Sequence, residues 1–293
     1  MIRANLNDKI GRINPNIYGM FIEHLGRCTY GGIFDEGSPL SDSEGYRVDV
    51  LKACQRLAPP LLRWPGGNFV SGYHWQDGIG PPGERPRRFD LAWFSEESNR
   101  FGTDEFLGFC RRLDTEPYIC ANAGTGTLDE AAAWVEYCNG WGNTHYANRR
   151  RQCGNTVPYN VRYWGLGNEM YGDWQIAHLD AEDYAKKALE MAKMMRWTDP
   201  RIQLVSCGLG QPEWDVPVLE RLRDKAEYIS VHCYVGSDDY YTNVTSVTRM
   251  EDIIERTKAA LCQVFGVADA AKAPVKISVD EWNVWFLNRG NER

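Results

Sequence analysis

Short apolar, β-rich runs alternate along this chain with longer segments whose apolar residues recur every three or four positions. The runs predict strands at Ile17–Ile22, Pro60–Trp64, Pro117–Ala121, Val161–Gly165, Ile202–Cys207, Tyr228–His232 and Val275–Val279. The periodic segments predict helices at Tyr46–Leu57, Thr103–Leu113, Asp129–Cys138, Asp180–Met195, Val216–Asp224 and Arg249–Phe265. In the fourth of these, Asp180 is placed to cap the first turn. Tyr184, Ala188, Met191 and Met195 then line one face, and Thr198-Asp199-Pro200 stops the helix. Strand–helix alternation predicts parallel strands, and continuously apolar strands predict a sheet covered on both faces.

Seven strands fit either an open doubly wound sheet or a (β/α)8 TIM barrel short of one unit. Chemically loaded residues fall just after several different strands, as they do at the mouth of a barrel. The open sheet would be supported by a dinucleotide fingerprint. The stretch Gly78-Ile79-Gly80-Pro81-Pro82-Gly83 has that spacing, but it follows a polar segment and its prolines oppose a helix opening there. The barrel is therefore the expected fold.

Composition narrows the function. With 43% apolar and 25% charged residues, the 293-residue chain is ordinary for a globular protein. A formal charge of -7 argues against nucleic acid or an anionic membrane as partner, since both recruit basic faces. No apolar run is long enough to span a bilayer, and the first residues lack the apolar core of a secretory signal, so a cytoplasmic location is expected. Nine cysteines without a C-x-x-C pair read as free thiols. The 11 Trp and 15 Tyr suit either core packing or stacking on sugars.

Two segments carry acid–base chemistry. In Trp164-Gly165-Leu166-Gly167-Asn168-Glu169 an apolar strand ends in glycines and presents a carboxylate among Trp164, Tyr171 and Trp174. Desolvation there is expected to raise its pKa, as a general acid requires. In Val279-Asp280-Glu281-Trp282-Asn283-Val284-Trp285 a second strand ends in a glutamate among tryptophans. Two such carboxyl groups facing each other across a barrel mouth can hydrolyse a glycosidic bond, with inversion or retention set by their separation. Leu62-Arg63-Trp64-Pro65-Gly66-Gly67-Asn68 adds an arginine at a strand end, a turn that permits close backbone approach, and an amide able to donate to hydroxyls. His24 and His232 follow the first and sixth strands. No carboxylate or thiol stands at a zinc-like spacing from either, so no metal site is expected.

Taken together, these segments resemble glycoside hydrolase family 51, the α-L-arabinofuranosidases. The resemblance rests on Asn14-Pro15-Asn16-Ile17-Tyr18-Gly19 leading into Glu23-His24-Leu25-Gly26, on Arg63-Trp64-Pro65-Gly66-Gly67-Asn68-Phe69 and on Asn99-Arg100-Phe101-Gly102-Thr103-Asp104. Gly165-Leu166-Gly167-Asn168-Glu169 and Asp280-Glu281-Trp282-Asn283 complete it. It implies a retaining double displacement, with Glu281 as nucleophile and Glu169 as general acid/base, releasing terminal α-L-arabinofuranose from arabinan or arabinoxylan oligosaccharides. It further implies that Glu23, Asn68, Asn168 and Tyr234 bind sugar hydroxyls and that Trp93 and Trp285 wall the pocket. Arg63 would keep Glu281 charged, and His232 would support the site from behind. No cofactor is implied, and a homo-oligomer, a hexamer in the family, is. The family also carries an eighth β/α unit and a C-terminal β-sandwich beyond the nucleophile strand, which this chain, ending at Arg293, does not contain. Residues 1–12 would then be a strand of that accessory sandwich and 13–293 a barrel left open between its first and seventh strands. Two alternatives remain at this point. One is a related barrel glycosidase, such as a β-xylosidase or endoglucanase, and the other a sugar-binding fragment without turnover.

Overall fold

The computed structural model describes Asn5, Asn7, Lys9 and residues 11–285. The expected accessory strand at 1–12 therefore lies mostly outside the described residues, and the described part of it forms no strand.

Seven parallel strands form one sheet: β1 (Met20–Phe21), β2 (Leu61–Trp64), β5 (Glu116–Ala121), β6 (Tyr163–Leu166), β7 (Gln203–Cys207), β8 (Tyr228–Val235) and β9 (Lys276–Val284). They pair in chain order. A separate antiparallel hairpin, β3 (Arg88–Asp90) with β4 (Ser95–Glu97), sits in the connection after β2. Helices α1 (Val48–Leu57), α2 (Thr103–Leu113), α3 (Leu128–Asn139), α4 (His145–Gln152), α5 (Ala181–Thr198), α6 (Pro212–Leu222), α7 (Tyr240–Thr245) and α8 (Val247–Phe265) make the crossovers. None of the described helices is long and apolar enough to cross a membrane.

The sheet curls into a nearly closed barrel. Its edge strands β1 and β9 approach each other, yet among the described residues no strand pairing joins them. A cavity of about 590 Å³ runs along this seam, lined by Ile17, Met20, Tyr163, Tyr228, Met250 and Val279 among others.

The inner strands are largely buried on both faces because helices cover the outside and side chains fill the inside, whereas the edge strands β1 and β9 keep exposed positions. The outer layer is strongly aromatic: Trp64 stacks on Phe106 at 5.0 Å between centroids, and Trp134 meets Trp164 edge-on at 5.9 Å. Trp64, Trp134 and Trp164 are all fully buried. Each indole N–H finds an acceptor, in His24, Thr103 and the Val161 carbonyl respectively, as buried donors must. Trp164 is therefore a core residue and does not hem Glu169 as the sequence suggested. In α5, Asp180 accepts from the Asp183 N–H, and Tyr184, Ala188, Met191 and Met195 are all buried, as the spacing predicts.

Candidate active site

The strands present their side chains to a common interior, and the register there is set by one irregularity. Up to Val231 opposite Val279, β8 and β9 pair regularly. His232 then stands opposite Glu281, so Asp280 is an extra residue on β9. Successive residues of a regular strand point to opposite faces. The bulge breaks that alternation, and both Asp280 and Glu281 turn their buried carboxylates to Arg63.

Arg63, on β2 and itself buried, ties the site together. Its Nη1 is 2.5 Å from Glu281 Oε1, its Nη2 donates to Asn168 Oδ1 at 2.6 Å, and its Nε lies 3.6 Å from Asp280 Oδ2. Gly66 and Gly67 follow with φ of 53° and 58°. A Cβ on the first would strike the Arg63 guanidinium, and one on the second the Glu23 carboxylate. These glycines thus make room for two site side chains. The Gly67 N–H also points at Glu281 Oε1, 3.4 Å away.

Glu169 follows β6 in the left-handed region, φ 43°, an unfavourable conformation for a non-glycine residue that is found most often at functional sites. Its Oε2 accepts from Trp174 Nε1 at 2.9 Å and its Oε1 from the Tyr171 hydroxyl at 3.3 Å. His232 Nδ1 sits 2.8 Å from the same Oε1 and 3.5 Å from Glu281 Oε2. Its Nε2 lies 3.2 Å from Asp280 Oδ1, an ion-pair distance with the N–H aimed somewhat off the oxygen. Tyr234 donates to Glu281 Oε2 at 3.1 Å.

Charge explains the protonation pattern. Burial opposes a charge on His232, but Glu281, Asp280 and Glu169 outweigh it and hold its pKa well above the ordinary value. Burial raises Asp280, yet Arg63, His232 and Ser230 bring it down to about 2. Glu169 is likewise raised by burial, while His232 and the Trp174 N–H more than reverse this, so its pKa is lowered. The expected upward shift at Glu169 is therefore corrected: its charged neighbours favour the ionised carboxylate, and those same carboxylates favour a protonated His232. The carboxyl that is pushed up is Glu23, to about 8, by burial first and then by Glu281, with Arg63 and His232 opposing.

Glu169, His232 and Glu281 place one potential ligand atom each within 4.8 Å of one another. His232 faces carboxylates from both ring nitrogens, and the charge of those carboxylates favours a proton on the ring. The same figure bounds the approach of the two carboxylates. One oxygen of each carboxylate thus lies within 4.8 Å of one of the other, which favours the ~5–5.5 Å separation of retaining glycosidases over the ~6.5–9.5 Å of inverting ones.

A model of the α-L-arabinofuranosidase 1 domain matches residues 53–252. The chain belongs to the family 51 α-L-arabinofuranosidases. Probable α-L-arabinofuranosidase C of Aspergillus clavatus is 48% identical over 300 residues, covering 97% of this chain and 59% of that protein. The intracellular exo-α-(1→5)-L-arabinofuranosidase 1 of Bacillus subtilis is 42% identical, over 95% of this chain and 57% of that one. An arabinose complex of the α-L-arabinofuranosidase from Thermotoga maritima superposes with a TM-score of 0.89 at 55% identity, over 94% of this chain and 56% of that structure. The chain thus spans somewhat over half the length of these arabinofuranosidases.

Of the residues expected to form an arabinofuranosidase site, the structure brings Glu23, Arg63, Asn168, Glu169, His232, Tyr234 and Glu281 together. Asn68, half-buried, starts a 3-10 turn directly after Gly67. The Nδ2 of buried Asn168 has no protein acceptor and is a donor available to a ligand. Trp93 lies in the β3–β4 turn with its Nε1 buried and equally unpartnered. Trp285 follows β9, about half exposed, its N–H on the Val235 carbonyl. Asp280 was missed as a site residue. Its signal was two adjacent acids in an otherwise apolar strand, one of which regular alternation would send outward into the helix layer.

Proposed function

We propose that this chain carries the catalytic site of a retaining, exo-acting α-L-arabinofuranosidase. The observation that carries this reading is the pair of carboxylates, Glu169 after β6 and Glu281 on β9, approaching within 4.8 Å inside a family 51 barrel. Glu281 attacks the anomeric carbon of a terminal α-L-arabinofuranosyl unit while Glu169 gives a proton to the departing oxygen. Water then displaces Glu281, with Glu169 taking the water's proton. Arg63 and Tyr234 orient the two oxygens of Glu281 for that attack. Glu23, Asn68 and the unpartnered Asn168 Nδ2 meet the furanose hydroxyls, and Trp93 and Trp285 wall the sugar.

Arabinan or arabinoxylan oligosaccharides are the proposed substrates, supported by the exo-(1→5) activity in the name of the Bacillus relative. That relative's description as intracellular supports a cytoplasmic location. A homo-oligomer, hexameric as the family resemblance implies, is proposed for the assembled protein, with no cofactor.

Hydrolysis of an aryl α-L-arabinofuranoside, alongside an aryl β-D-xyloside, tests the proposal. Turnover of the arabinoside alone, lost in Glu281→Gln and Glu169→Gln, supports it. Preference for the xyloside, or undiminished turnover in Glu281→Gln, refutes it.

A further inference from the structure

The bulge that turns Asp280 inward gives Glu169 a neighbour it would not have on a regular strand. His232 stands between the two, Nδ1 toward Glu169 Oε1 and Nε2 toward Asp280 Oδ1, at 2.8 and 3.2 Å. Asp280 is held in turn by the Ser230 hydroxyl at 2.5 Å and the Tyr118 hydroxyl at 2.8 Å, and all of its polar contacts lie inside the barrel. Nothing in sugar binding requires this acid, because Arg63 and Tyr234 already serve Glu281.

We propose that Asp280 is a positioning residue which, through His232, keeps in the site the proton that Glu169 delivers to the leaving group. The proposal deepens the glycosidase reading given above and rests on it. The pair Glu169–His232 holds one proton between them, and which of the two carries it depends on their surroundings. In the empty site the proton is on His232, beside Asp280. Once the sugar covers the carboxylates, the Nδ1 proton passes to Glu169 Oε1 and His232 becomes neutral, its Nε2–H still beside Asp280. Glu169 gives that proton to the glycosidic oxygen as its bond to the anomeric carbon breaks and the Glu281–carbon bond forms. In the second half a water oxygen bonds to the anomeric carbon as the Glu281 ester breaks. The proton lost by the water goes to Glu169 and returns to His232 Nδ1. One proton leaves and one comes back in each cycle.

The groups that face His232 all enter this balance. Glu23 after β1, Glu169 after β6, and Asp280 and Glu281 on β9 favour its charge, and Arg63 on β2 opposes it. Cys207 on β7, a buried neutral thiol whose pKa burial raises, also faces it. Asp280 alone among the carboxylates contacts Nε2 and leaves Nδ1 to the acid/base. Its removal therefore weakens the hold on the proton while Glu169 and Glu281 keep their own direct contacts, and Arg63 keeps Glu281 as its partner.

The test is Asp280→Asn in the full 293-residue chain, with histidine imidazoles followed by ¹⁵N NMR against pH. The His232 signal is expected to titrate at least about one pH unit lower than in the unsubstituted chain. With an alkyl arabinofuranoside, a poor leaving group, the alkaline limb of kcat/KM is expected to move down by a similar amount. With a dinitrophenyl arabinofuranoside, which departs without a proton, kcat/KM is expected to change by less than about threefold, because only the acid-catalysed part, typically ~10²–10⁴-fold, is affected. An unchanged His232 titration, or an equal loss on both substrates, overturns the proposal. Should Asp280→Asn not fold, His232→Gln decides by the same leaving-group comparison: selective loss on the alkyl substrate supports the proton store, and equal loss overturns it. If the unsubstituted chain cleaves neither substrate, the glycosidase reading itself fails, and the imidazole titration still shows whether Asp280 holds the proton on His232.

Discussion

Arg63 and Glu281, on the second and last strands of the barrel, meet at 2.5 Å between Nη1 and Oε1, and both are buried. The contact spans 218 positions of sequence and exists only when the sheet has curled nearly shut. It therefore reports the fold and the site at once.

Replacing Arg63 with Met would leave Glu281 and Asp280 buried without their cation. Such a break costs about 3–5 kcal/mol. Chemical denaturation is expected to show a lower midpoint with an unchanged slope. Arg63→Lys keeps the charge but cannot reach Glu281, Asn168 and Asp280 from one planar fork. It is expected to restore most of the stability while kcat/KM stays at least about tenfold low, since a misplaced nucleophile loses orientation.

The two arms of that experiment separate roles that the sequence shows only in part. The inner strands were legible because they are apolar runs covered on both faces; the last two run on past their expected ends, to Val235 and Val284. The first was not: Asn14 accepts from the Asn16 N–H, a 3-10 turn takes Pro15–Tyr18, and only Met20–Phe21 is left as strand. Helix α4, His145–Gln152, has no apolar period to betray it, because three consecutive arginines fill its last turn. The hairpin β3–β4 was hidden by its charged residues, although it supplies Glu97, buried against His24 and Tyr30 behind the site. The two glutamates proposed as catalytic, Glu169 and Glu281, stood out in strand-end segments rich in aromatics. The inward turn of Asp280 did not, because a bulge arises from pairing with a neighbouring strand and leaves no local pattern.

Glu23 gives the clearest dependence on pH. Burial and the nearby Glu281 raise its pKa from an ordinary 4.5 to about 8 in the folded chain. A carboxyl whose folded pKa stands above its unfolded value contributes stability that is complete below 4.5 and is lost as pH rises toward 8. Glu23→Gln mimics the protonated form, so its Tm is expected to fall less than that of the unsubstituted chain between pH 5 and 8. Differential scanning calorimetry across that range checks this, and parallel curves for the two proteins would contradict it.

Gly67→Ala tests how tightly the turn after β2 fits. The added methyl requires a positive φ of 58° with ψ -167°, a conformation essentially reserved for glycine, and collides with the Glu23 carboxylate. The backbone cost alone is about 1–3 kcal/mol. KM for an arabinofuranoside is expected to rise as Glu23 is displaced, and Tm to fall. Gly37→Ala, also at positive φ but with open space around its Cβ, is expected to lower Tm without raising KM.

The stereochemistry of the first product tests the central claim most directly. On the proposed mechanism, two carboxylates with oxygens within 4.8 Å leave no room for a water between Glu281 and the sugar, and the proposed reaction runs by two inversions at the anomeric carbon. Proton NMR of the reaction mixture, recorded before mutarotation, is expected to show the α anomer of arabinofuranose first. Initial appearance of the β anomer would mean a single displacement and would contradict the assignment of Glu281 as nucleophile.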